Sequence, residues 1–152
     1  MFINTKGYQT ALGEFLTIGT TLQGDDSVNI SYLPGSVGLP IKKRLTDIQM
    51  MFLTNKYGVE FAQVYQLGQG KNGRGGKYYL FSGNNNSVII PINSRIILIN
   101  HTHPGGTAGP SARDLIVMEL LSAAGSPQKV SSILPIGKDV VKFTKKGIQN
   151  ND

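Results

Sequence analysis

Two segments of the chain carry apolar residues at intervals of three or four, the spacing typical of a helix. The first predicted helix begins after Pro40 and ends near Tyr57-Gly58, where a glycine can end it. The second begins at Pro110-Ser111 and ends at Gly125. Their apolar positions are Ile41, Leu45, Ile48 and Phe52 in the first and Leu115, Met118 and Leu121 in the second.

Runs rich in β-branched, aromatic and other apolar residues predict strands before and after the second helix. These runs are VEFAQVYQL (59–67), KYYLFSG (77–83), SVIIP (87–91), RIILIN (95–100), KVSSILPI (129–136) and DVVKFTK (139–145). The last two flank Gly137-Lys138 and predict a hairpin. The alternation of helices and strands predicts a mixed α/β domain, with a central β-sheet flanked by two main helices.

Residues 1–38 are rich in Gly, Thr, Ser and Asn and show weak periodicity. Within them, residues 14–20 and 28–33 have the composition of short strands. We therefore expect residues 1–38 to be an irregular lead-in or linker, and residues 39–152 to form the main domain.

Composition narrows the possible functions. The chain of 152 residues has the size of one domain, and without cysteine it can form neither disulfides nor a thiolate zinc site. It has no apolar run of the roughly 20 residues that span a bilayer and no signal peptide, so we expect a soluble protein with no membrane partner. The net charge of +6 is scattered, and therefore gives little reason to expect nucleic-acid binding.

Three glycines, Gly68, Gly70 and Gly73, match the spacing of a dinucleotide-binding fingerprint. That fingerprint needs a helix directly behind the glycines, so that phosphate meets the helix N-terminus. A strand follows instead, and the segment is interpreted as a mobile hairpin loop.

The two histidines of the chain, His101 and His103, directly follow the predicted strand at 95–100. In extended backbone, side chains two residues apart point to the same side, so both rings can meet one ion. Asp114, in the first turn of the second helix, can add an oxygen ligand. Three such ligands with a fourth position open for water are typical of a mononuclear zinc hydrolase.

Ser111 and Asp114 also have a purely structural explanation. Ser-x-x-Asp before an apolar run is a capping box for a helix N-terminus. Capping alone would explain these two residues, but it leaves the paired histidines unexplained. In the metal interpretation, Ser111 lies beside the ion and its hydroxyl can donate to an oxyanion.

The pattern His101-x-His103, seven residues, Ser111, two residues, Asp114 resembles the signature of the JAMM metallopeptidases, also called MPN+ or JAB proteins. The resemblance implies that His101, His103 and Asp114 bind one Zn²⁺ per chain and that Ser111 supports the tetrahedral intermediate. It also implies a JAB/MPN-like, cytidine-deaminase-like architecture.

That family also carries an upstream glutamate, on an early strand, as general acid and base. The chain has two glutamates before His101, Glu14 and Glu60. Glu60 is favoured because it directly follows the first helix, as in the family, whereas Glu14 lies in the lead-in. The alternative for Glu60 is a solvated residue that faces outward on an edge strand.

The resemblance implies a zinc-dependent peptidase or isopeptidase that hydrolyses a protein or peptide through a metal-activated water. Within the family, the order of elements and the motif look most like those of bacterial members, such as JAB-type polymorphic toxin domains and RadC-like proteins. A toxin domain would have an immunity or carrier protein as partner, and would be cytoplasmic or delivered as part of a secreted effector. The alternatives are a non-catalytic MPN-fold binding module and a RadC-like DNA-associated protein.

Overall fold

A computed structural model describes residues 16–18, 28–30 and 32–149 of the chain. Its helices and strands are, in chain order, β1 (Leu16–Ile18), β2 (Val28–Ile30), β3 (Leu39–Ile41), α1 (Asp47–Tyr57), β4 (Phe61–Gln66), β5 (Lys77–Ser82), β6 (Ile96–His103), α2 (Ala112–Ala123), β7 (Ser131–Pro135), β8 (Val141–Thr144) and β9 (Gly147–Ile148). β1 and β2 form an antiparallel pair within the two segments that have the composition of short strands. Most of the predicted lead-in lies outside the described residues, and its boundary stays a prediction.

The main sheet of the described residues has seven strands in the order β3-β5-β4-β6-β7-β8-β9. β6 and β7 are parallel, and the other neighbours are antiparallel. A parallel pair needs a crossover connection, which α2 supplies between β6 and β7. The predicted mixed α/β class, with two helices and a central sheet, is confirmed. Neither described helix is long and apolar enough to cross a membrane.

The first helix ends as predicted but begins later. Gly58, at φ 71°, follows its last residue in the left-handed conformation that glycine tolerates. At its start, Pro40 and Ile41 belong to β3, and the helix begins only behind the side-chain cap of Thr46. The buried face also differs from the prediction, because Ile48 is 61% exposed whereas Met50 and Leu53 are fully buried.

The predicted strand at 87–91 is wrong. This segment is irregular, and Ile89 within it is 70% exposed. The turn before it is held by the side chain of Asn84, whose Oδ1 accepts hydrogen bonds from the backbone N–H groups of Asn86 and Ser87. By contrast, the glycine-rich segment 68–76 joins β4 to β5 in an antiparallel hairpin, as predicted, and opens no α-helix.

Apolar side chains pack on both faces of the main sheet. One cluster lies between the sheet and α1, and two further clusters lie on the α2 side. The first includes Leu39, Leu45, Met50, Leu53, Phe61 and Leu80; the others include Ala62, Val64, Leu98 and Leu121, and Met118, Ile133 and Phe143.

A β-bulge in β6 decides which face its last residues occupy. Leu98 and Asn100 pair with consecutive residues of β4, so Ile99 between them has no opposite residue. One extra residue inverts the alternation of side chains along the strand. His101 and His103 therefore lie on the α2 side of the sheet, the side that Leu98 also faces.

Candidate metal centre

Three side chains from β6 and α2 bring their ligand atoms together. The Nε2 atoms of His101 and His103 are 3.2 Å apart, and each lies 3.2 Å from one carboxylate oxygen of Asp114. In a tetrahedral zinc site with ligand bonds of about 2.0–2.1 Å, neighbouring ligand atoms are about 3.3 Å apart. The three contacts are close to this length, with each histidine facing a different oxygen of Asp114, and the three residues could hold a metal ion.

The two histidines are held in place differently. The Nδ1 of His103 donates a hydrogen bond to the backbone carbonyl of Thr107 at 2.7 Å, which leaves the Nε2 lone pair free to bind a metal. The ring of His101 packs edge-on against Phe143, with ring centroids 5.9 Å apart. Its Nδ1 has no hydrogen-bond partner among the described residues. Packing against Phe143 and the contacts of Nε2 with His103 and Asp114 therefore set the orientation of His101.

Asp114 has the contacts that both of its alternative explanations require. Its backbone N–H donates to Ser111 Oγ at 3.1 Å, and its carboxylate accepts from the backbone N–H of Ser111 at 2.9 Å, which completes the capping box. The same carboxylate faces both histidines. Capping the helix thus orients a potential ligand, and the two explanations are compatible.

The electrostatics of the cluster favour a positive charge among these atoms. Burial raises the pKa of the Asp114 carboxyl, but hydrogen bonds from His101 and His103 oppose it and hold that pKa well below its usual range. Burial lowers the pKa of His103, yet the hydrogen bonds to Asp114 and Thr107 outweigh it and leave this pKa above its usual value. A metal cation would satisfy the same charge requirement as a proton.

Glu60 lies directly before β4, on the face of the sheet that carries the histidines. Ala62 is opposite His101 in the antiparallel pairing of β4 with β6. Glu60 comes two residues before Ala62 and His103 comes two residues after His101, so the same register places Glu60 opposite His103. Glu60 is 6% exposed, and is therefore not the solvated edge residue considered as the alternative. Glu14, the other candidate, lies outside the described residues.

The surroundings of Glu60 shift its acidity. Burial is the largest influence and raises the pKa of this carboxyl, and the negative charge of Asp114 acts in the same direction. The two histidines oppose this, but the pKa stays above its ordinary value. A carboxyl with a raised pKa takes up a proton more readily than an ordinary glutamate does, which suits a general acid and base.

One cavity of about 290 Å³ connects these groups. Glu60, His101, Ser111 and Asp114 all line it. The rest of its wall is largely apolar and comes from the first turns of α2 and from the irregular segment 86–92. This wall was not predicted from the sequence, although the apolar content of 87–91 was a signal that could have indicated it.

Thr102, the residue between the histidines, also has a role that was not predicted from the sequence. Its buried hydroxyl accepts a hydrogen bond from the backbone N–H of Phe61 at 2.9 Å and contacts the hydroxyl of Thr54. Thr54 in turn donates to the carbonyl of Val59 at 2.8 Å. These bonds fasten the end of β6 to the residues on either side of Glu60, and so set the distance between Glu60 and the histidines.

Comparison with protein-family models, with curated proteins and with solved structures found no match to this chain. The fold and the site by themselves define a mixed α/β domain whose seven-stranded sheet carries a His-His-Asp cluster. This cluster could hold a metal ion, which suggests a metalloenzyme.

Proposed function

We propose that this chain is a zinc-dependent peptidase or isopeptidase of the JAMM type, with a JAB/MPN-like fold. The observation that carries the proposal is the convergence of His101, His103 and Asp114, whose nearest side-chain atoms are 3.2 Å apart in each pair, beside a cavity that Glu60, His101 and Asp114 line. The spacing of the sequence motif supports it independently. A role as a toxin, with an immunity or carrier partner, stays a prediction of the resemblance.

The ligand set fits zinc. Two imidazole nitrogens and a carboxylate oxygen are a common set for catalytic zinc, and leave one position for water or substrate. Zinc, when bound, would lower the pKa of a coordinated water from about 15.7 to about 7 and polarise a carbonyl group. His103 is prepared for this role because its hydrogen bond to Thr107 directs the Nε2 lone pair toward the cluster.

Glu60 and Ser111 supply the remaining chemistry. Glu60 accepts the proton of the attacking water and delivers it to the leaving amine, a task that suits its raised pKa. Asp114 is committed to the two histidines and to the helix cap, and is not free to do this. Ser111 Oγ accepts from the N–H of Asp114, so its own proton stays available to donate to the oxyanion.

The first test is metal content. Elemental analysis of the purified protein should find about one zinc per chain, because the described cluster offers a single three-ligand site. His103→Ala should lose most of this zinc, whereas Thr46→Ala, a change in the cap of the other helix, should keep it. Equal zinc in all three proteins would contradict the ligand assignment.

The second test is hydrolysis. Zinc-loaded protein is incubated with a library of proteome-derived linear peptides and with branched peptides joined through lysine side chains, and cleavage is followed by mass spectrometry. Glu60→Gln should keep its zinc but lose hydrolysis by at least about 100-fold, since the amide cannot accept a proton. Wild-type rates in this variant would refute the role of Glu60. A zinc-loaded wild type that cleaves neither class would refute the proposed activity.

A further inference from the structure

We propose that the cavity beside the metal cluster is a specificity pocket for one large aliphatic side chain of the substrate, such as leucine, next to the bond that is cleaved. This inference rests on the proposed function and names the class of substrate. The two proposals can be tested separately, because an experiment can refute the pocket and leave the metal site intact, or refute the metal site and leave the pocket intact.

The walls of the cavity are suited to an aliphatic group. Val88, Ile90 and Ile92 contribute from the irregular segment after β5, and Ile116 and Val117 contribute from α2. These two elements are far apart in the sequence but meet across the same space, whose polar end is the metal cluster. A substrate whose scissile bond lies at the cluster must place a neighbouring side chain against these walls.

The rim of the cavity carries exposed apolar surface from both elements. Ile89 is 70% exposed and Ile116 is 55% exposed, and both line the cavity. Single exposed apolar residues are common, but two that converge from different elements on one cavity mark a binding surface. Apart from Glu60 and the cluster, Arg113 is the one charged side chain in the described lining. An aliphatic occupant is therefore favoured over a charged one.

The size of the cavity agrees with this occupant. About 290 Å³ is near the lower limit of small-ligand pockets, about 300 Å³, and is enough for one aliphatic side chain. Each methylene group buried there should strengthen binding by about fourfold. A carboxylate side chain would lie among apolar walls close to the charge of Asp114, and should gain nothing.

The first experiment measures how small metal-binding probes bind to the zinc-loaded protein. Acetohydroxamate, 4-methylpentanohydroxamate and succinohydroxamate share the chelating group but differ in the side group. By calorimetry, 4-methylpentanohydroxamate should bind at least about 10-fold more tightly than acetohydroxamate, and succinohydroxamate should not. Equal affinities for all three would overturn the pocket and leave the metal proposal intact.

Variants of the cavity rim test whether the preference for the aliphatic probe arises at this cavity. Ile89→Ser and Ile116→Ser change exposed residues of the rim, and each should reduce the preference for the aliphatic probe by at least about threefold. Ile48→Ser is the control, since Ile48 is similarly exposed, at 61%, but lies on α1 and does not line the cavity. The pocket is in the wrong place if the control loses the preference as much as the rim variants do.

A metal-free measurement separates the pocket from the metal. The chelator-treated protein is titrated with N-acetyl-leucine amide and N-acetylglycine amide, and the backbone amide shifts of Val88 and Val117 are followed by NMR. Leucine-specific shifts support the pocket, and would do so even if the protein bound no zinc and the peptidase proposal failed. The same response to both amides would overturn the pocket whatever the metal content.

Discussion

Replacing Ser111 by alanine separates the two functions that its side chain can serve. The variant loses the Oγ that accepts from the N–H of Asp114, but it keeps the backbone N–H of residue 111 that donates to the Asp114 carboxylate at 2.9 Å. The carboxylate should therefore stay oriented toward the histidines. We expect Ser111→Ala to keep its zinc.

The expected loss of stability is small, whereas the expected loss of turnover is large. Loss of a capping side chain lowers the free energy of unfolding by about 1 kcal/mol. Because Ser111 is exposed, water can reach the freed N–H, and the cost should not exceed this. A change of that size corresponds to a melting temperature lower by about 4 °C. Loss of an oxyanion donor should slow turnover by about 100-fold to 1000-fold.

Thr46→Ala is the matched control, because Thr46 and Gln49 form the corresponding capping box on α1, away from the cavity. Both variants are compared by thermal unfolding, zinc content and turnover of a peptide that the wild type cleaves. Both should lose similar stability, but only Ser111→Ala should lose turnover. Full turnover in folded Ser111→Ala, or an equal loss in Thr46→Ala, would refute the catalytic role of Ser111.

The pH dependence of metal-free protein tests the charge of the cluster. Since folding raises the pKa of His103, its stabilising effect should be complete below its unfolded pKa of about 6.5 and disappear as the pH rises through the folded value. His103→Gln should reduce this slope in urea unfolding, and identical slopes would contradict the interpretation. Zinc affinity, measured by competition with a chelator, should fall at low pH because the histidines must be neutral to bind; an affinity independent of pH would exclude them as ligands. Thr102→Val should lower the free energy of unfolding by about 1–3 kcal/mol, because the buried N–H of Phe61 loses its acceptor. Thr144→Val removes an acceptor for an exposed N–H and should cost less than about 1 kcal/mol, so equal costs would count against the Thr102 network.

Local patterns in the sequence determined a large part of this protein. The end of α1 at Gly58 and the start of α2 at Ser111 could be predicted because capping side chains and glycines act on the backbone within a few residues. The proximity of His101 and His103 could be predicted because the alternation of a strand is local as well. The alternation of helices and strands was enough to predict the mixed α/β class.

Contacts between distant segments decided which apolar side chains are buried and which lie at the cavity. Ile48 has the spacing of a core residue, but α1 packs on the sheet through Met50 and Leu53, and Ile48 is exposed to solvent. The apolar run 87–91 has the composition of a strand, yet Ile89 lies at the rim of a cavity. Apolar content shows that a side chain favours contact with other apolar groups, but not which groups it will meet.

The position of Glu60 relative to the histidines belongs to this second group. The sequence offered two glutamates before His101 and no means to measure their distance from the cluster. The bulge at Ile99 places His101 and His103 on the α2 side of the sheet, and Thr102 fastens that strand end beside Glu60. A bulge depends on how two strands pair, and pairing joins residues far apart in the chain. The sequence therefore determined the ligand types and their spacing, whereas tertiary structure decided which face they share and with which carboxylate.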